Sequence, residues 1–412
     1  MNILLINHYA GSVVHGMEYR PYYMAKKWIE MGHQVTILTA SYSHLRTKQM
    51  SSEKDFDISI IDGIRYIVLK TPEYNGNGVS RFFNMLTFVY KVYRYNRDII
   101  KLTNPDVIIG SSTYPLDMLP AKKISKKTKA KLLFEVHDIW PLSPMELGNM
   151  SKFHPFIMVM QFGEDYAYKY ANRVISMLPS AEEHMLSRGL TRGKFRYIPN
   201  GFDISEWTNV DLELPLEYSK KIEEIRNKHR ILIGYAGGHN ISNALEDLLH
   251  AIKIQNDSNI AYCLIGKGTE KYKLEEFAKE NQLLNVFFLD AISKKYIPAF
   301  LNQMDALYIG WKKKSLYRFG VSPNKLFDYM MAQKPILHAI EAGNDLVAEA
   351  KCGISVKPEQ PEMIAKGLTE IAYLDKNEKN RLGVNGYKFV LEQHEYTVLA
   401  ERFIKVMEEE GI

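Results

Sequence analysis

The sequence predicts an α/β fold built from two doubly wound, mostly parallel sheets. A chain of 412 residues is too long for one hydrophobic core. Short apolar runs alternate with amphipathic helical segments, as in parallel-sheet proteins. The alternation restarts after the turn Pro199-Asn200-Gly201-Phe202-Asp203. We therefore expect two Rossmann-like domains facing each other across a cleft, one of residues 1–202 and one of residues 203–394.

The first domain begins with a buried strand and an amphipathic helix, predicted over Glu18–Met31. Asp62-Gly63 separates two apolar runs and predicts a hairpin. The expected strands are Asn2–Asn7, Gln34–Ala40, Ile58–Ile61, Ile64–Leu69, Val107–Gly110, Lys131–Val136 and Arg173–Met177.

The second domain repeats the pattern. Its expected strands are Ile231–Ala236, Ile260–Ile265, Val286–Leu289 and Ala306–Ile309, and its expected helices are Ser242–Ile254, Glu270–Asn281 and Pro323–Met331. A last amphipathic helix within residues 395–412 has no strand after it, so we expect it to dock back on the first domain.

Composition places the chain among soluble globular proteins, with 46% hydrophobic and 25% charged residues. The N-terminus lacks the cationic leader and cleavage site of a signal peptide. Two cysteines, Cys263 and Cys352, offer neither a disulfide framework nor metal-ligand spacing. We expect a cytoplasmic protein.

Charge is unevenly distributed. Residues 1–200 carry 26 basic and 17 acidic residues, whereas the whole chain has a net charge of only +5. The excess includes a lysine cluster over 122–131, which is either a solvated helix face or a surface for an anionic membrane. Nucleic acid is not expected as a partner, because no nucleic-acid-binding motif accompanies the lysines.

The segment Arg81–Lys101 mixes aromatic and basic side chains. Such a helix lies at a membrane interface in some proteins. The alternative is a helix that packs its aromatic residues on the sheet. A mixed case, with inner rings buried and outer rings facing lipid or a lipid-linked acceptor, is also open.

A phosphate-binding helix start is predicted at Ser322-Pro323-Asn324-Lys325. Ser322 is expected to cap the helix and Pro323 to be its first residue, so that the exposed amides of this segment suit a phosphate. Lys325 adds a positive charge in the first turn. Asp328 follows on the same face, about 7 Å along the axis, where it would accept hydrogen bonds from a ribose. An ordinary capped surface helix is the alternative.

Glycine-rich turns follow two predicted strands of the second domain. Gly237 and Gly238 follow the first of these strands and leave room for close backbone approach. Lys267 follows the next, between two glycines. Together with the Ser322–Asp328 segment, these turns would surround one anionic ligand at the carboxyl ends of the strands.

In the first domain, Gly16 lies in a turn where a backbone approaches a phosphate in Rossmann folds. Glu18 and Arg20 come next and are expected in the first helical turn, within reach of the same cleft. A plain helix-start carboxylate is the alternative for Glu18. His137 and Asp138 follow an apolar strand, at the position where open α/β sheets bind ligands. The alternative is that the pair only anchors the loop through a hydrogen bond. No cluster predicts a metal site, and we expect neither metal nor other cofactor.

Several of these motifs, in this order, resemble the family 4 retaining glycosyltransferases of the GT-B fold. They are Gly16 with Glu18, Gly32-His33-Gln34-Val35-Thr36, Ile198-Pro199-Asn200-Gly201-Phe202-Asp203, Gly237, Leu264–Gly268, Asn285–Leu289 and Ser322–Ile336. The opening segments around His8–Gly11, Gly16–Tyr23 and Ala40–Arg46 are similar to bacterial O-antigen and capsule transferases, including N-acetyl-fucosamine transferases.

The resemblance implies two glutamates eight positions apart, but Gly320 stands at the first position and Asp328 at the second. It also implies basic residues near Gly238 and Asn243 that this chain lacks. The diphosphate charge would then fall on Lys325 and the 322–324 segment, with Arg318 or Lys267 as further candidates.

The predicted function is retaining transfer from a nucleotide diphosphate sugar to a lipid-linked saccharide at the inner face of the membrane. Lys325 would stabilise the leaving group and His137 would orient the donor sugar. The acceptor side would be formed by Glu18, Arg20 and Asp138. By resemblance alone, the donor is a UDP-linked N-acetylated hexosamine. A GT-B sugar-nucleotide 2-epimerase and a catalytically silent nucleotide-sugar-binding scaffold are the alternatives.

Overall fold

A computed structural model describes residues 1–50, 53–76, 78–208 and 213–410. The chain forms two compact units, Met1–Asn200 with Tyr396–Ile412, and Gly201–Glu395. Each unit contains one twisted sheet covered by helices, which confirms the predicted α/β class.

The first unit has an eight-stranded sheet in the order β3-β4-β2-β1-β5-β6-β7-β8. All neighbours are parallel except β3 and β4, which form the predicted hairpin through Asp62 and Gly63, both with positive φ. The strands are β1 Asn2–Ile6, β2 Gln34–Ala40, β3 Asp57–Ile61, β4 Ile64–Leu69, β5 Val107–Gly110, β6 Lys131–Val136, β7 Arg173–Ser176 and β8 Phe195–Tyr197.

The helices of this unit are α1 Arg20–Glu30, α2 Val79–Arg94, α3 Asn96–Thr103, α4 Met118–Thr128, α5 Leu142–Gly148, α6 Pro155–Tyr170 and α7 Glu182–Ser187, with a 3-10 turn at Pro115–Asp117. The helix predicted from Glu18 begins instead at Arg20, because Glu18 belongs to the preceding loop, where its carbonyl accepts from the Gly11 amide at 2.8 Å.

The second unit has a six-stranded, fully parallel sheet in the order β11-β10-β9-β12-β13-β14. Its strands are β9 Ile231–Ala236, β10 Ile260–Ile265, β11 Val286–Leu289, β12 Ala306–Gly310, β13 Ile336–Ala339 and β14 Gly353–Val356. The sequence patterns had not predicted β8, β13 and β14.

The helices of the second unit are α8 Ser205–Thr208, α9 Leu216–Lys228, α10 Leu245–Gln255, α11 Lys271–Glu280, α12 Ile297–Asn302, α13 Asn324–Met331, α14 Leu346–Ala350, α15 Pro361–Ala372 and α16 Lys376–His394. Short 3-10 helices cover Ile241–Asn243, Lys294–Tyr296 and Ser315–Phe319.

The last helix, α17 (Tyr396–Glu408), packs on the first unit. The Phe403 ring of this helix meets the Trp28 ring edge-on, with the ring centres 5.1 Å apart. The Tyr396 ring stacks on the Tyr23 ring, with the centres 5.0 Å apart. Beyond the helix, Glu409 pairs with Arg173 at 2.6 Å. Residues 411 and 412 of the predicted helix lie outside the described residues.

Candidate functional site

The helix that carries Lys325 begins one residue later than the sequence predicted. Pro323 has an extended backbone, with φ −83° and ψ 126°, and α13 starts at Asn324. The Leu326 amide donates to the Pro323 carbonyl at 3.1 Å. Pro323, rather than Ser322, therefore flanks the helix start, because the proline carbonyl closes the first turn. Lys325 remains in that turn.

Lys325 is half-buried beside the loop that follows β9. Its ammonium donates to the side-chain oxygen of Asn243 and lies 3.3 Å from the Tyr235 hydroxyl. The rings of Tyr235 and Trp311 lie 5.2 and 5.4 Å from the same nitrogen. Burial lowers the pKa of Lys325 to about 8. These named partners are neutral, so the positive charge is not compensated by them.

Both predicted glycines of this loop lie near the lysine, Gly237 directly and Gly238 through Asn243. A Cβ on Gly237 would stand 3.0 Å from the Tyr235 hydroxyl and 3.6 Å from Lys325 Cδ. The Gly238 carbonyl accepts hydrogen bonds from Tyr235 and Asn243, both at 2.8 Å. The structure thus brings Gly237, Gly238 and Lys325 together at the carboxyl end of β9.

The other predicted donor-side cations lie on the surface. Lys267 is exposed after β10, where its carbonyl accepts from the His239 amide at 2.9 Å. Arg318 is exposed and donates to the Ser315 carbonyl at 2.7 Å, with its guanidinium over the Phe319 ring. A role in donor binding stays a prediction for Lys267 and Arg318, and for Ser322 and Asn324.

Gly320, at the position where the resemblance implies a glutamate, has a backbone that suits only glycine. Its φ is 109° and its ψ is 172°. L-residues rarely adopt this region of the Ramachandran plot. The residue is also buried. The chain therefore lacks the glutamate carboxylate at this position, and any side chain here would strain the backbone.

Asp328 lies one turn further along α13. Its carboxylate accepts a hydrogen bond from the Trp207 indole at 3.1 Å. Burial raises the pKa of Asp328 to about 6, and the charge of Glu206 adds to this rise while Lys294 opposes it. Asp328 is thus held in place but is not neutralised by a direct ion pair among the contacts described.

His239 is a residue that the sequence analysis did not select. It is fully buried next to the Lys325 group, with its ring 5.9 Å from that of Tyr235. Neither ring nitrogen has a hydrogen-bond partner within the described residues. Burial, with the charges of Lys271 and Lys325, lowers the pKa of His239 to about 4, so the ring is neutral.

In the first unit, a buried ion pair underlies the carboxyl ends of β5 and β6. Arg20 is 1% exposed, and its Nε donates to Glu135 Oε1 at 2.9 Å. Its other nitrogens donate to the carbonyls of Ile198 and Pro199. We expected Arg20 to face the acceptor; the structure instead places it beneath the site, because its guanidinium satisfies these buried acceptors.

His137 lies on top of that ion pair. Its Nε2 is 2.9 Å from Ser111 Oγ and 3.3 Å from Glu135 Oε2. Burial lowers the pKa of His137, but the carboxylates of Glu135 and Glu18 outweigh burial and Arg20, so the net shift is upward. Glu18 is therefore close enough to act on the His137 charge.

The remaining predicted residues of this unit have local contacts. Asp138 Oδ1 accepts from the Ile139 amide and the Ser143 hydroxyl, as in the loop-anchoring alternative. Gly16 has a φ of 92° and packs against Thr47, where a Cβ would stand 2.8 Å from the hydroxyl. Roles for Asp138 and Gly16 in substrate binding stay predictions.

Sequence signals for the missed residues differ in strength. Glu135 is a charged residue inside the apolar run Leu132–Val136, which indicates a buried partner. No motif of the sequence singles out Ser111, Asn243, Tyr235 or Trp207. Only their neighbours in space distinguish them.

Within the described residues, no group of three or more acidic, histidine or cysteine side chains is arranged to hold a metal. Over the same part of the chain, no helix is long and apolar enough to cross a membrane.

Two family models together match most of the chain. The model for Glycosyltransferase Family 4 matches residues 14–206, and the model for Glycosyl transferases group 1 matches residues 219–410. The first model ends shortly after Asn200, the last residue of the first unit before the chain enters the second.

Individual relatives are distant. WbjE of Pseudomonas aeruginosa, named as a glycosyltransferase, is 22% identical over 74% of this chain and 76% of its own. WcaI of Escherichia coli K12, named as a glycosyl transferase of colanic acid biosynthesis, is 22% identical over 47% of each chain. The structure of HepE from Anabaena with UDP and glucose has a TM-score of 0.66 and 15% identity over 100% of both chains, which shows a common fold.

Proposed function

Since this chain is a family 4 glycosyltransferase with the GT-B fold, we propose that it moves a sugar from a UDP-linked donor to a lipid-linked saccharide. The observation that carries this proposal is the half-buried Lys325, held by neutral side chains beside the glycines that follow β9. We propose an N-acetylated hexosamine as the donor sugar, retention of anomeric configuration, and a place in surface polysaccharide synthesis. The name of WcaI, a colanic acid glycosyl transferase, supports the place in polysaccharide synthesis, and the complex of HepE with UDP supports a UDP-linked donor. The N-acetylated sugar and the retention of configuration rest on the motif resemblance.

Lys325 and the amides at the start of α13 would hold the diphosphate. Negative charge grows on the leaving phosphate in the transition state, and a positioned cation in a partly dry site stabilises that charge strongly. A bound diphosphate would also raise the pKa of Lys325 from about 8 and keep it protonated. Because this group supplies positive charge, the proposed reaction needs no metal or other cofactor.

Asp328 would accept hydrogen bonds from the ribose hydroxyls. The Trp207 indole fixes one of its oxygens and leaves the second for ligand. A carboxylate with a pKa of about 6 is ionised at neutral pH and accepts strongly.

His137 is proposed to orient the donor sugar, and Glu18 to act on the acceptor side of the reaction. The raised pKa of His137 keeps its ring in the imidazolium form, in which both nitrogens donate, up to a higher pH. A donor of this kind suits a hydroxyl or carbonyl oxygen of the sugar.

A face of the first unit supports a peripheral contact with an anionic membrane. Phe83 on α2 is 60% exposed and Phe162 on α6 is 59% exposed. The two helices meet through the rings of Phe82 and Phe156, 5.5 Å apart. Between them α4 supplies lysines, one of which, Lys123, lies 3.3 Å from the Tyr93 ring centre. Exposed aromatic rings beside lysines suit the headgroup region.

The test combines binding and turnover. A thermal-shift screen of UDP- and GDP-sugars identifies the donor, because a ligand that binds the folded state raises its melting temperature. The selected donor is then incubated with a synthetic lipid-diphosphate saccharide, and the product is analysed by mass spectrometry and NMR. Stabilisation by GDP-sugars alone would reject the UDP-linked donor. Transfer only to free saccharide would reject the lipid-linked acceptor, and a product of inverted configuration would reject retention. An epimer formed from donor alone would identify an epimerase.

A further inference from the structure

The groups around His137 form a continuous buried chain. Arg20 donates to Oε1 of Glu135, and the Ser111 hydroxyl donates to Oε2 of the same carboxylate at 2.6 Å. His137 Nε2 approaches both Ser111 Oγ and Glu135 Oε2. Glu135 is thus the link between a buried cation and the imidazole.

This hydrogen-bond pattern specifies one tautomer. An ionised carboxylate only accepts hydrogen bonds, and the Ser111 proton is already directed at it. Towards His137, the Ser111 oxygen can therefore only accept a hydrogen bond. The nitrogen that faces both oxygens must therefore carry hydrogen, so the neutral His137 ring has its proton on Nε2 and the imidazolium form adds its second proton at Nδ1.

The ionised state of Glu135 has a clear cause. Burial opposes ionisation, but Arg20 and His137 outweigh it and hold the pKa of Glu135 well below the ordinary glutamate value. Four charged or titratable groups act on His137: Glu135 from β6, Glu18 from the loop before α1, Arg20 from α1, and Asp117 from the turn before α4.

We propose that Glu135 is a positioning residue, which orients the His137 ring with Nε2–H inward so that Nδ1 is the atom presented to the substrate. Nδ1 has no hydrogen-bond partner among the described residues, and the side chain retains 9% exposure. This inference rests on the proposed role of His137 in sugar transfer, but its structural content can be measured without turnover.

The experiment uses the full chain labelled with 15N-histidine, with His137→Gln to assign the signal. We expect the wild-type resonance to show the Nε2–H tautomer and a pKa above 6.5. In Glu135→Gln the pKa should fall below the wild-type value, because a carboxylate charge is lost. The turnover kcat/KM should fall by at least about tenfold, and its decline with rising pH should begin at lower pH.

Two further variants separate positioning from stability. Ser111→Ala leaves the Arg20–Glu135 pair intact and should retain the Nε2–H tautomer. Glu164→Gln is the matched control, because Glu164 is equally buried and lies 3.1 Å from another histidine, His184; it should leave the His137 titration unchanged. An Nδ1–H tautomer in the wild type, or an unchanged His137 titration in Glu135→Gln, would overturn the proposal whether or not transferase activity is found.

Discussion

Lys325 donates a hydrogen bond to Asn243, which joins the first turn of α13 to the loop after β9. The Asn243 nitrogen in turn donates to the Gly238 carbonyl at 2.8 Å. The resemblance implies a basic residue near Asn243, yet here a neutral amide orients a lysine that comes from another element. The cation and the glycine loop are therefore held as one group.

Lys325→Ala should lower kcat/KM by about tenfold or more, equivalent to about 1.4 kcal/mol of transition-state stabilisation. The reason is the loss of a partly buried cation from the proposed diphosphate site. Steady-state kinetics with the donor found in the screen measures it, and Lys366→Ala, an exposed lysine on α15, is the control. Equal turnover in the two variants would remove Lys325 from the mechanism.

Asp328→Asn should weaken nucleotide binding and yet stabilise the free protein at pH 8. The folded-state pKa of Asp328, about 6, lies above its unfolded value. Its stability contribution is therefore complete below the unfolded pKa and is lost as pH rises through about 6. The neutral amide of the Asp328→Asn variant avoids this loss, so its free energy of unfolding at pH 8 should be higher by roughly 2 kcal/mol.

Thermal melts at pH 5 and pH 8, with calorimetry of UDP binding, measure both effects. Asp345→Asn is the control of opposite sign. Burial opposes its ionisation, but His338 and backbone amides outweigh this and lower the pKa of Asp345 to about 2. That substitution should reduce stability at pH 8. If Asp328→Asn reduces it too, the assigned pKa direction is wrong.

Gly320→Glu, which recreates the glutamate that the resemblance implies, should destabilise the protein without increasing turnover. A side chain at φ 109° and ψ 172° costs about 1–3 kcal/mol. Denaturant unfolding measures the loss. Gly148→Ala is the control, since a Cβ there would meet only Met150 Cγ at 3.8 Å. A stable, more active Gly320→Glu enzyme would contradict this reading of the backbone.

Replacing Phe83 and Phe162 together by serine should weaken binding to vesicles that contain anionic lipid by about tenfold or more. Co-sedimentation with anionic and with neutral vesicles measures this. Tyr272 and Leu284, 71% and 86% exposed in the second unit, provide the control pair for serine substitution. Equal loss in both variants, or equal binding to neutral vesicles, would argue against this face.

The sequence alone determined the α/β class, most strands and the two-part organisation, because strand and helix periodicity and turn residues act locally. The Asp62-Gly63 hairpin is an example, since both residues have the positive φ that the dipeptide predicts. It also located Lys325 and Asp328 on one helix, although it placed the helix start one residue early.

Only the tertiary structure decided which side chains work together. Glu135 and Arg20 are 115 positions apart, and Lys325 and Asn243 are 82 apart. Such pairs form because parallel strands bring their carboxyl ends to one edge of a sheet, wherever those strands lie in the chain. The same packing buried Arg20 and set Gly320 in a conformation that only glycine adopts readily. No local pattern records these outcomes, because they depend on what the fold places against each residue.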